Sequence, residues 1–232
     1  METIGMKVIA HVRNDFPTKF GLPRQSGLAK DLQSVIVFEP EYRAAEALRG
    51  LEGFSHLWLV WAFHQAQRDT WSPTVRPPRL GGNTRMGVFA TRSPYRPNPI
   101  GLTCVTLQEI RTTPHEGTVL IVSGADMMDG TPILDIKPYL PYADSYPEAR
   151  GGFAKEVEGH CLTVDCHPAL LNRVEEEKRP ALLEALRQDP RPAYQHDPER
   201  VYGFPYGRWE VRFTVREDTL TVTDVQEGKV NP

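Results

Sequence analysis

Cysteine is scarce. Cys104, Cys161 and Cys166 are the full complement in 232 residues, an odd number with no C-x-x-C pair, so neither a disulfide framework nor a cysteine metal cluster is implied. A reducing, cytoplasmic setting fits that usage. No run of 18 apolar residues occurs, and Met1–Val12 lacks a signal-peptide core, so neither secretion nor a membrane span is expected. Familiar catalytic signatures are also missing. No G-x-G-x-x-G follows a strand, and there is no G-x-x-x-x-G-K-[ST], H-E-x-x-H or G-x-S-x-G, which removes most support for a Rossmann site, a P-loop, a zincin or a nucleophile elbow. Charge of one sign is not in excess: 27 basic against 30 acidic residues gives −3, so the average offers no polyanion signal.

What is present is a soluble globular composition, 40% hydrophobic and 25% charged, enough to bury a core. Proline stands out at 21 of 232, about 9% against a usual share of about 5%. Each interior proline removes a backbone donor and costs a helix about 3 kcal/mol, which argues against a helical bundle. Short β-branched or aromatic runs bounded by Gly, Pro, Asp or Asn predict strands at Met6–Val12, Val35–Phe38, Phe54–Phe63, Gly87–Thr91, Leu102–Ile110, Thr118–Val122, Ile133–Ile136, Arg208–Val215 and Thr219–Val225. In Phe54–Phe63 both alternating sets are apolar, as expected of a central strand. Pro40–Arg49 reads as a helix ending at Gly50, and Pro168–Gln188 as two helices or one kinked at Pro180. A β-rich body over 1–148 followed by a small α+β unit over 149–232 is expected.

Local charge departs from the average. Thr70–Gln108 carries Arg76, Arg79, Arg85, Arg92 and Arg96 with no aspartate or glutamate, together with six prolines. Pro94, Pro97 and Pro99 stiffen the loop after Arg92, which suits either arginines held ready for an anion or nucleic acid, or a structural proline loop with solvated arginines. Asp126, Asp129 and Asp135 surround an Asp-Gly-Thr-Pro turn; they suit a metal, a ligand hydroxyl or a general base, while the turn sequence itself favours capping by Asp129. His64 ends the most apolar run and is open to a catalytic or a structural reading.

Taken together, Leu22-Pro-Arg-Gln25, Gly50–Trp58, Phe63-His-Gln65, Arg76–Asn83, Gly87–Leu102 and Asp129–Asp144 resemble the TsaA/TrmO family, as does Asp189–Tyr194 in the C-terminal part. The family consists of S-adenosylmethionine-dependent enzymes that methylate N6 of threonylcarbamoyladenosine in the tRNA anticodon loop. The resemblance implies a mainly β fold, a non-Rossmann β-barrel methyltransferase with a small α+β C-terminal domain, and a homodimer. It implies a cofactor pocket at Pro23, Arg24, Gln25, His64, Gln65, Arg92, Leu102, Asp129, Gly130, Thr131 and Pro132. The acceptor nitrogen needs a base, for which His64, Asp126, Asp135 and Tyr142 are the candidates. Arg76, Arg79, Arg85 and Arg96 are the expected electropositive tRNA face, with Tyr95 and Trp71 as stacking platforms and Lys137, Tyr139 and Tyr142 adding to it. No metal is implied. Two other readings stay open: a non-catalytic β-barrel that binds a nucleotide or RNA, and a methyltransferase with another acceptor.

Overall fold

The computed structural model describes residues 2–22, 32–65, 70–77, 84–153, 161–191, 195 and 197–228. Six strands take up the alternating runs of the first half: β1 (Ala10–Arg13), β2 (Gln33–Phe38), β3 (His56–Ala62), β6 (Ile100–Thr113), β7 (Gly117–Ser123) and β8 (Pro132–Pro138). They pair in the order β1-β2-β7-β6-β3-β8, and β8 returns to β1 through Ala10↔Ile133, closing the ring. Closure leaves no edge strand exposed to further pairing. Period-two alternation sends Ala10 and Val12, Ile36 and Phe38, and Leu57, Leu59 and Trp61 inward, where they meet Val105, Leu120, Val122 and Ile133 in one buried cluster. β3 has a neighbour on each side, β6 and β8, as its two apolar faces predict.

A two-stranded hairpin, β4 (Thr74–Val75) with β5 (Met86–Gly87), stands off the barrel. The strand expected over Gly87–Thr91 stops after Gly87. Val88–Ala90 turns instead as a 3₁₀ helix, with Val88 buried and its amide donated to the Pro73 carbonyl at 2.9 Å. The helix expected over Pro40–Arg49 is likewise two 3₁₀ turns, Pro40–Tyr42 and Ala45–Leu48, separated by extended Ala44. Neither turn fully buries a residue; Tyr42 and Leu48, one from each turn, pack partly buried against the barrel core.

The second half folds around its own sheet. β10 (Tyr202–Tyr206), β11 (Trp209–Arg216) and β12 (Thr219–Glu227) form an antiparallel meander, and β9 (Thr163–Asp165) adds in parallel to β12. α1 is the short turn Pro141–Asp144 after β8; α2 (Pro168–Leu171) and α3 (Arg179–Arg187) are the two separate helices that Pro180 announces. Pro180 lies in the first turn of α3, where its missing N–H would have had no partner. α3 lays Ala181, Leu182, Ala185 and Leu186 against Phe204, Val211, Phe213 and Leu220. Two residues from the first half join this second core, Phe16 and Leu32. Tyr202 is buried there with a hydroxyl that has no partner among the described residues.

Candidate functional site

A cleft of about 730 Å³ opens at one end of the barrel. Three kinds of backbone build its wall. The end of β3 and the residues after it supply Trp58, Trp61, Phe63, His64 and Gln65; the proline loop and the start of β6 supply Arg92, Pro94, Arg96, Asn98 and Ile100–Thr103; the connection before β8 supplies Asp126, Met127, Met128 and Thr131. Lys19 and Leu22 enter from the segment after β1.

The inner wall rests on a close approach. Gly101 on β6 pairs with Trp61 on β3, and a Cβ at Gly101 would lie 2.2 Å from the Trp61 ring. The indole is therefore free to lie flat over β6 and to reach sideways. Its Nε1 donates to Thr103 Oγ1 at 2.9 Å, and the same hydroxyl donates to Asp126 Oδ1 at 2.6 Å. Both hydrogen-bonding capacities of a buried threonine are thus used to hold a carboxylate at the cleft wall. Phe63 packs on Trp61 at 4.3 Å between ring centroids. Leu102, pointing the opposite way from Gly101 and Thr103, is 54% exposed.

His64 has its imidazole pushed below the ordinary histidine value, first by burial and then by the positive charges of His11 and Lys19. It is neutral at pH 7 and able to accept a proton. Asp126, its carboxylate held by the Thr103 hydroxyl, is a second polar group on the cleft wall.

The cleft brings together His64, Gln65, Arg92, Leu102, Thr131 and Asp126 from the expected site, and adds Arg96, expected only on the tRNA face. Pro23, Arg24 and Gln25, and Arg79 on the tRNA face, lie outside the described residues. Other expected members sit elsewhere. Asp135 projects from β8 as an ion pair with Lys137 at 2.8 Å, away from the cleft wall, and Tyr142 is 87% exposed on α1; neither is positioned as a base for this cleft.

The Asp129–Pro132 turn borders the cleft only through Thr131. Its amide hydrogens are already committed: Asp129 N–H to the Phe16 carbonyl at 2.9 Å, Gly130 N–H to Val12 at 2.8 Å and Thr131 N–H to Met128 at 3.2 Å. Asp129 Oδ1 accepts the amide of Asn14, 115 positions earlier, at 3.0 Å, so its carboxylate ties the turn to the segment after β1. Gly130 takes φ +73°, which favours glycine, and Pro132 pairs with His11 at the start of β8. These three residues hold the wall in place from behind.

Of the expected RNA contacts, Arg76 and Arg85 are exposed and lie just beyond the Val75↔Met86 pair, at the end of the β4/β5 hairpin. Trp71 is exposed and stacks on Phe89 at 6.3 Å. Tyr95 is half-buried in the proline loop. Tyr139 packs between His56 and Trp58 on the outer face of β3, and the Trp58 indole donates to Asp144 at 3.1 Å.

Sequence reasoning missed Trp61, Thr103, Lys19 and Met127–Met128 as wall residues. Gly101 preceding Thr103 was the available signal, since a glycine inside a strand marks a close approach by a neighbour. Among the described residues no cluster of His, Cys, Asp or Glu is disposed to hold a metal ion, and no helix is long and apolar enough to cross a membrane.

Comparison with known proteins bears on what such a cleft belongs to. Residues 11–145 match the tRNA-methyltransferase O N-terminal domain and residues 159–228 the TrmO C-terminal domain. The tRNA (adenine(37)-N6)-methyltransferase of Escherichia coli (strain K12) is 47% identical over 165 residues, covering 71% of this chain and 69% of the relative. That of Eikenella corrodens is 45% identical over 184 residues, covering 74% and 97%. A protein of Pseudomonas aeruginosa named as a putative S-adenosylmethionine-dependent methyltransferase is 48% identical over 146 residues, 63% of this chain and 59% of its own. The crystal structure of TrmO from Pseudomonas aeruginosa superposes with a TM-score of 0.77 at 34% identity, over 97% of this chain and 100% of that one. With family matches to both halves of the sequence and a shared fold along nearly its whole length, the chain belongs to the TrmO family.

Proposed function

We propose that this protein is an S-adenosylmethionine-dependent tRNA methyltransferase acting on N6 of adenine 37, and that its acceptor is threonylcarbamoyladenosine in the anticodon loop. The observation that carries the proposal is the composition of the large cleft: aromatic walls, an exposed leucine, two arginines and a fixed carboxylate, in a member of this family. Its volume lies within the range of about 300–1,000 Å³ usual for small-molecule sites, and its groups suit an adenine, a ribose and an amino-acid carboxylate.

When bound, S-adenosylmethionine supplies an activated methyl group on a sulfonium. The chain's own part is to align and to remove a proton. Leu102 offers an apolar surface for the adenine, and the Arg92 guanidinium suits the carboxylate. Trp61 and Phe63 exclude water beside the reacting centre. Near-attack placement, at about 3–3.5 Å, is the main service such a site renders. The acceptor nitrogen lies between a purine and a carbonyl, so it needs deprotonation. Of the four candidate bases, His64 and Asp126 face the cleft and carry the role in this proposal. Arg76, Arg85 and the Trp71–Phe89 pair suit the phosphates and unstacked bases of a loop. The reading extends to a homodimer, to a cytoplasmic setting, and to a division of labour in which residues 1–148 perform the chemistry and 149–232 support it.

Nucleoside mass spectrometry of threonylcarbamoyladenosine-containing tRNA, incubated with the protein and S-adenosylmethionine, tests the proposal. A mass gain of one methyl on that nucleoside is expected. Binding of cofactor or RNA without methylation would favour the non-catalytic reading, and methyl appearing on a different nucleoside would replace the acceptor.

A further inference from the structure

The segment that leaves β1 ties the barrel to the C-terminal sheet. Its even-numbered residues are fastened to the loop that forms the cleft wall. Asn14 Nδ2 donates to the Met127 carbonyl at 2.8 Å, the Asn14 amide donates to Asp129 Oδ1 at 3.0 Å, and the Phe16 carbonyl accepts from the Asp129 amide at 2.9 Å. Between them, Asp15 faces the other way. Its carbonyl accepts the Gly207 amide at 2.7 Å, and its carboxylate accepts from Lys178 Nζ at 2.6 Å.

The same sheet continues to grip the segment further on. The Phe16 ring is buried edge-on against Tyr206 at 5.1 Å, and Phe20 packs on Phe204 and Phe213. Gly21 takes φ +89° and Phe204 presses against it; a Cβ there would lie 2.2 Å from the Phe204 ring. Lys19 and Leu22, on either side of these anchors, are the residues of this segment that line the cleft. Lys178 is itself held, since the Tyr206 hydroxyl donates to its carbonyl at 2.9 Å. Burial and the charges of Asp15 and Glu175 push the Tyr206 phenol well above its ordinary value, so it stays a donor.

We infer that three residues of the C-terminal half, Lys178 at the start of α3 and Phe204 and Gly207 of the β10–β11 hairpin, are positioning residues for the methyl-donor cleft, acting through Asp15–Leu22 rather than by touching the donor. The inference rests on the reading of that cleft as the S-adenosylmethionine site. A strap fastened on both sides transmits displacement: freeing Asp15 releases the backbone that sets Lys19 and Leu22, and through Asn14 and Phe16 it loosens the Met127–Asp129 wall. Coupling of this kind between a distant residue and a ligand typically amounts to about 5–150-fold in affinity.

The test is S-adenosylmethionine affinity measured by calorimetry on the full chain, beside steady-state kinetics with tRNA. Lys178→Met removes the ion pair at a half-exposed position, and Gly207→Ala places a methyl 2.9 Å from the Asp15 carboxylate. Each is expected to raise the cofactor Kd and KM roughly fivefold or more, with kcat at saturating cofactor and the KM for tRNA near those of the unaltered protein. Lys178→Arg is expected to restore most of the affinity. Arg216→Ala breaks an exposed ion pair with Glu199 on the same sheet, away from the strap, and is expected to leave cofactor affinity unchanged. Wild-type cofactor affinity in both Lys178→Met and Gly207→Ala, with any defect confined to tRNA KM or to melting temperature, overturns the inference. No cofactor binding by the unaltered chain would instead overturn the reading of the cleft, and the inference with it.

Discussion

Thr103 donates its hydroxyl hydrogen to Asp126 at 2.6 Å while accepting from Trp61, so one buried threonine joins β3, β6 and the loop before β8 at the cleft wall. Removing that hydroxyl has two costs. Asp126 loses a donor, and the Trp61 N–H loses its acceptor inside the protein. Leaving a buried polar group unpaired costs about 1–3 kcal/mol. Thr103→Val, nearly the same volume, is expected to lower melting temperature and to reduce kcat/KM by about tenfold or more. Thr103→Ser, which keeps the hydroxyl, should retain most of both; a serine variant as impaired as the valine one would show that the methyl group, not the hydrogen bond, is what matters.

His64 gives the proposed activity a pH signature. Its imidazole titrates below the ordinary value of 6.5 because burial and the charges of His11 and Lys19 disfavour the cation. If His64 takes the proton, kcat/KM rises with pH through a midpoint below 6.5. The sign for stability follows from the same depression. Between the folded and unfolded values the unfolded chain binds more protons, so this histidine's contribution is present above about 6.5 and is lost as pH falls. His64→Asn is expected to cut turnover by about 10²–10⁴-fold and abolish that limb of the profile, with cofactor Kd little altered. Retention of the acid limb in His64→Asn would transfer the role to Asp126.

How much of this was legible beforehand varies with the range of the interactions involved. β3 was readable because Leu57, Leu59 and Trp61 alternate with apolar neighbours, while Pro180 left two helices or one kinked helix open and the structure shows two, with Pro180 in the first turn of the second. Pro40–Arg49 misled, since its alanines favour a helix locally but the chain turns at extended Ala44 and seats only Tyr42 and Leu48, one from each 3₁₀ turn, against the core. The motif-bearing loops named most of the cleft. They could not tell Asp126 from Asp135: both lie near β8, but a bulge opposite Val60 and Trp61 and the Lys137 partner set Asp135 apart. Nor could any linear pattern bring Asp15 to Lys178, a pairing across 163 positions that exists only once both halves have folded.

Gly101 is a packing requirement of the cleft floor. A β-carbon at this position would overlap the Trp61 ring at 2.2 Å, and both are held in register by β3–β6 pairing. Overpacking of this kind costs about 1–3 kcal/mol. Gly101→Ala is therefore expected to lower melting temperature and, by tilting the indole, to weaken cofactor binding. A thermal melt beside a cofactor titration checks both. Unchanged values in the two measurements would mean that the tryptophan can move aside freely and does not define the wall.

Arg76 and Arg85 are the pair with which to isolate an electrostatic part of RNA binding, because they lie next to the Val75↔Met86 pair of β4 and β5 and outside the cleft wall. Each phosphate neutralised by such a side chain releases condensed counterions, so affinity falls with salt in proportion to the number of phosphates engaged. Arg76→Ala and Arg85→Ala are expected to weaken tRNA binding and to flatten the plot of log affinity against log salt by roughly 0.7–0.9 for each phosphate no longer neutralised, while cofactor affinity stays as it was. Arg96→Ala is expected to differ, since Arg96 lines the cleft and donates to the Thr91 carbonyl at 3.1 Å: its loss should affect both RNA and cofactor. Filter binding across a salt series, with calorimetry for the cofactor, separates the two classes. A slope unchanged in Arg76→Ala and Arg85→Ala would remove these two residues from the RNA path and leave the cleft rim around Arg92 and Arg96 as its positive surface.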